Sequence, residues 1–101
     1  MSASLEKMTD QHYVLSGELS FESVPALSGS ILPLLQENAR LDISLDKVRR
    51  SDSAGVAMLV EWLRLARQQD KPLRFLDIPE QMLSIVRVSG LDTILPLSRS
   101  R

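Results

Sequence analysis

Apolar and polar positions alternate with two different periods along the chain. "LDISLDKV" places Leu41, Ile43 and Leu45 at every second position with Asp42, Ser44 and Asp46 between them, the pattern of a strand with one buried face. "HYVLSGEL" alternates only loosely, yet it carries Tyr13, Val14 and Leu15 between polar boundaries and predicts a strand. Paired with the shorter "SLEKM" across "TDQ", it makes a hairpin. Between these strands Val24, Leu27, Ile31 and Leu35 recur at helical spacing and predict a helix over roughly residues 22–38. Ser20 can cap it, Pro25 is tolerable near its start, and Pro33 should bend it.

The helical period returns from Ala54 to about Gln69, where Val56, Leu59, Val60 and Leu63 form a stripe that would face a sheet. "KPLRFLDI" predicts a further strand, and "PEQMLSIVRVSG" a helix with Pro79 in its first turn, Met82, Ile85 and Val86 inward, and Gly90 at its exit. "LDTILPL" closes as a short apolar piece, extended or helical, and the final "SRSR" reads as a frayed end. This order favours an α/β fold, a mixed sheet of four to five strands flanked by helices, in which the crossovers force parallel pairing.

The stretch "RRSDSAGVAML", residues 49–59, concentrates the candidate chemistry. Either the carboxylate of Asp52 or the hydroxyl of Ser53 can accept an unpaired N–H of the first helical turn. The same position favours an anion through the helix dipole, and the small Ala54 and Gly55 would let another surface approach the backbone. Further along this helix, Met58, Trp62 and Leu65 share a line on the side away from the first stripe. A second apolar stripe calls for a second surface, either a neighbouring helix or another protein.

Composition narrows the functional classes. A chain of 101 residues with 44% hydrophobic and 25% charged residues is the size and make-up of one globular domain. Twelve basic and thirteen acidic residues give a net charge of −1, so no positive field is present to hold nucleic acid or an anionic bilayer. No cysteine is present, which removes disulfides and thiolate metal sites and is compatible with a reducing compartment. Neither an export signal nor a membrane-spanning run is encoded, and a cytosolic protein is expected. No glycine-rich phosphate loop, histidine pair or Cys–His arrangement occurs, and His12 is the single histidine, so no cofactor, metal or enzymatic activity is expected.

The segment from "LDISLDKVRRSDSAG" through "LRFLDI" to "SGLDTILPL" resembles the body of a STAS domain, the fold of bacterial anti-sigma factor antagonists and of regulatory parts of transporters. Members that switch by phosphorylation carry a D-S-S-G-like pattern, modified on the second serine by a kinase-like anti-sigma factor. The corresponding residues here are Asp52, Ser53, Ala54 and Gly55, so the resemblance implies that the usual switch cannot operate at Ala54, with Ser53 the remaining hydroxyl. The altered loop is also similar to that of the cytosolic STAS subunit of the Mla phospholipid-transport ABC complex, which maintains outer-membrane lipid asymmetry. That likeness implies a non-catalytic subunit at the inner face of the inner membrane, bound to the ATPase and through it to the permease. Asp52, Ser53, Ala54, Gly55, Met58, Trp62 and Leu65 would then form the contact. The alternative is an anti-sigma factor antagonist with a kinase-like partner, for which Ser53 is the candidate phosphorylation site.

Overall fold

In the computed structural model, which describes residues 3–99, the hairpin pairs β1 (Ala3–Thr9) with β2 (His12–Leu19) in antiparallel register. Asp10 and Gln11 make the turn, Gln11 with a φ of 64°. β3 (Leu41–Ser51), β4 (Leu73–Leu76) and β5 (Leu97–Ser98) then add in parallel, giving a five-stranded mixed sheet in the order β1-β2-β3-β4-β5. Ser98, expected in a frayed end, instead belongs to β5 and its carbonyl accepts the Asp77 N–H at 2.9 Å. The last two residues of that expectation lie outside the described residues.

The helix predicted over residues 22–38 is divided. α1 (Val24–Leu27) runs through a 3-10 turn at Ser28–Ser30 into α2 (Ile31–Glu37). Pro33 lacks the N–H that would reach the Gly29 carbonyl and its ring crowds that group, so the irregularity falls one turn before the proline. Ser20, expected as the cap, instead accepts the N–H groups of Glu22 and Ser23 in the turn before α1, whose N-cap position is Ser23. α3 (Ser53–Gln68) and α4 (Glu80–Val88) complete the crossovers, and Gly90, with a φ of 71°, turns the chain out of α4.

One sheet face presents Tyr13, Leu15, Leu41, Ile43, Leu45, Leu73 and Phe75 to the helices, and these form a single cluster with Ile31, Leu35, Leu59, Trp62, Met82 and Val86. The opposite face carries cross-strand polar pairs. Ser4 Oγ and Ser16 Oγ lie 2.9 Å apart, His12 Nε2 and Ser44 Oγ 2.7 Å, and Arg74 donates twice to the Asp42 carboxylate at 3.0 Å. The alternation predicted through Val48 holds only to Leu45. Against β2, the strand β3 gains an extra residue twice, between Ser44 and Lys47 and again between Val48 and Arg50. Each extra residue stretches the spacing of inward side chains from two to three, so Leu45, Val48 and Ser51 point inward and Asp46, Lys47, Arg49 and Arg50 outward.

Candidate functional site

The β3–α3 junction brings Asp52, Ser53, Ala54 and Gly55 to one end of the sheet, and the four residues do different work. Asp52 is the helix cap: its backbone is extended and its Oδ1 accepts the Ala54 N–H at 2.8 Å. Its second oxygen accepts the Phe21 N–H at 3.3 Å, and its own N–H reaches the Leu19 carbonyl at 3.0 Å. The loop after β2 is thereby tied to the loop after β3. Ser53 is the first helical residue and is exposed, and its hydroxyl has no hydrogen bond among the described residues. Since Asp52 does the capping, the Ser53 hydroxyl is left available to solvent or a partner.

Gly55 does not serve as a contact surface. It is buried, and a Cβ built there would lie under 3.0 Å from Ser51 Oγ and 2.7 Å from Leu19 Cβ, so the missing side chain lets α3 sit against the ends of β2 and β3. Ala54 remains half-exposed beside Ser53.

The expected second docking stripe is also overturned. Trp62 is 0% and Met58 3% exposed, and Leu65 is half-buried against the core. Trp62 Nε1 donates to the Ser28 carbonyl at 3.0 Å, so the indole lies against the turn between α1 and α2. At about 100° per residue, Gly55 and Ala66 fall between the two supposed stripes and join them into one buried arc of roughly 160°. The neighbouring surface is therefore the chain's own α1–α2 segment.

Gln81 and Phe21 escaped the sequence reading. From α4, Gln81 accepts the Ser51 N–H at 2.8 Å and donates to the Ser51 carbonyl at 2.7 Å, imitating a paired strand where β3 has outrun β4. The helical placement of Gln81 was visible, but its long-range partner was not. Phe21, 75% exposed on the loop bound by Asp52, is the most exposed aromatic side chain described. In sequence it is one apolar residue among polar ones, with no period to mark it.

No described helix is long and apolar enough to cross a membrane. Comparison with known proteins accords with this architecture. The anti-sigma-B factor antagonist of Bacillus subtilis is 27% identical over 84 residues, which cover 83% of this chain and 77% of that protein. An anti-sigma factor antagonist from Mycobacterium paratuberculosis superposes with a TM-score of 0.75 at 22% identity, covering 94% of this chain and 82% of the other. The Bacillus cell fate determinant SpoIIAA in its phosphorylated form gives 0.71 at 18% identity, covering 98% and 91%. These two structural likenesses speak for the fold. The family model described as "Mlab, STAS domain" matches residues 6–96, and on that match the chain belongs to the STAS domain family.

Proposed function

We propose that this STAS domain is a protein-binding regulator of the anti-sigma factor antagonist kind, acting in the cytoplasm by contact rather than by chemistry. The observation that carries the reading is Ser53, exposed and unbonded at the first position of a helix whose cap, flanking loop and preceding strand are each held by other residues. A site of this kind offers a rigid end to a partner, which limits the ordering cost of binding. The likeness to an anti-sigma-B factor antagonist supports a kinase-like anti-sigma factor as that partner. Phosphate on Ser53 would be favoured by the helix dipole but would set nearly two negative charges beside Asp52, and a close neutral contact would not tolerate them.

A second reading, the STAS subunit of an Mla-type ABC lipid transporter bound to the ATPase, is favoured by the family model's description and by Ala54, which cannot accept phosphate. Affinity purification of the tagged protein with mass spectrometry separates the two. Recovery of a kinase-like anti-sigma factor supports the first, and recovery of an ABC ATPase with its permease replaces it with the second. With the kinase-like partner and ATP, Ala54→Ser should gain one phosphate by intact mass. A partner that binds equally well to Ser53→Glu removes the proposed surface.

A further inference from the structure

Ser53 begins a line on α3. Ala57, Val60, Arg64 and Arg67 follow at alternating steps of four and three residues, which keeps them on one side of the helix over about 21 Å. Ser53, Ala57, Arg64 and Arg67 are exposed and Val60 is half-buried. Where this line meets the turn after α4, Val60, Leu63 and Ile94 wall an open apolar groove of about 430 Å³ with Arg64, Arg67 and Gln68 at its rim. Ile94 is 46% exposed there, although its neighbour Leu95 is buried in the core.

The charges at the rim are unequal. Arg64 is engaged by Glu61 on the same helix, through Nε at 2.9 Å and a second bond from its terminal nitrogen. Arg67 has no ion pair among the described residues. No carboxylate lines the groove, so an apolar floor opens beneath one positive charge, Arg67 in the last turn of α3, that has no carboxylate partner among the described residues.

We propose that this side of α3 is a docking track for an acidic amphipathic helix of the partner protein. The inference extends the Ser53 surface and rests on its reading as a protein contact. A helix laid along the line places its apolar side chains over Ala57 and into the Val60–Leu63–Ile94 groove, with a carboxylate facing Arg67. Charge complementarity decides the occupant. A second copy packed symmetrically through the groove would bring the arginines of both rims together.

The test uses the full chain and two synthetic probes, each an amphipathic helix of about four turns with leucines along one face. One carries glutamates flanking the leucines, and the other carries lysines in their place. Amide shifts followed by NMR titration should map the acidic probe to Ala57, Val60, Leu63, Arg67 and Ile94. Arg67→Glu and Ile94→Asp should each weaken it about three- to tenfold, and added salt should weaken it further. Both side chains are exposed, so the variants should keep the parent's circular dichroism. Equal affinity for the two probes, shifts elsewhere, or no binding overturns the proposal. So does a dimer, seen by sedimentation, that Ile94→Asp disperses. No anti-sigma factor enters this experiment, so its failure leaves the Ser53 reading standing, whereas the affinity purification tests which partner that surface meets and not the chemistry of the groove.

Discussion

Gly55→Ala tests whether the glycine of the β3–α3 junction serves the fold or a partner. The added methyl would lie under 3.0 Å from Ser51 Oγ and 2.7 Å from Leu19 Cβ. Leu19 Cβ belongs to the backbone geometry of β2 and cannot swing away, so the helix must shift, at the roughly 1–3 kcal/mol typical of an overpacked core. Ser51 Oγ can move, but it then gives up its 2.9 Å hydrogen bond to the Asp52 carbonyl, about 1 kcal/mol more. Replacing glycine by alanine inside a helix returns about 1 kcal/mol. The balance is a destabilisation of about 1–3 kcal/mol, read as a lower midpoint of urea unfolding with an unchanged slope. Gly29→Ala is the control: it lies in the 3-10 turn with nothing within 4 Å of its Cβ, and it should be neutral or stabilise by up to about 1 kcal/mol. A Gly55→Ala protein as stable as the parent, or a Gly29→Ala protein that suffers more, would refute the packing argument.

Three other substitutions probe neighbouring features. Trp62→Phe keeps a buried ring but leaves the Ser28 carbonyl without its donor, and should cost about 1–3 kcal/mol in thermal unfolding with partner affinity unchanged; lost affinity at full stability would restore Trp62 to an interface. Gln81→Ala uncovers the Ser51 N–H and carbonyl, so hydrogen exchange at Ser51 should quicken by about tenfold or more while that of Ile43 keeps its parent rate; parallel acceleration of both amides would mean global rather than local loosening. The Arg74 hydrogen bonds hold the Asp42 carboxyl below the usual carboxylate range, with the charges of Arg74, Arg40 and His12 acting in the same direction against partial burial. A lowered folded-state pKa stabilises the fold above about pH 4, and the contribution is lost as the pH falls through the lowered value. Asp42→Asn should therefore flatten the acid limb of stability by less than about 1 kcal/mol, since the pair is partly solvated, and an unchanged acid limb would contradict it.

Local signals made the elements legible and long-range ones did not. The strand His12–Leu19 coincides with the segment marked by its polar boundaries, and Gly90, expected at the exit of α4, turns the chain there with a positive φ. The mixed sheet follows from the order of the elements, because parallel neighbours need crossovers. The bulges of β3 were hidden, since alternation gives no warning of a residue added against a partner strand. The same limit explains Trp62. A helical wheel shows which side chains share a direction, whereas burial depends on whether α1 and α2 return over them, and Pro33 marked a bend without its direction. At the site, composition identified Asp52 and Ser53 as rivals for one cap. Only the geometry, with Asp52 accepting the Ala54 N–H and Ser53 facing solvent, divided the roles. Gln81 required knowledge that β4 stops at Leu76 while β3 continues to Ser51.

Where β3 overhangs β4, one glutamine amide takes the place of a neighbouring peptide unit. A true strand lets go only by peeling, several bonds at a time, but a side chain lets go by turning about its own single bonds. A turn of Gln81 would thus free only the outer edge of Ser51, because the inner edge stays bridged to Leu19 and keeps the footing of Ser53 in place.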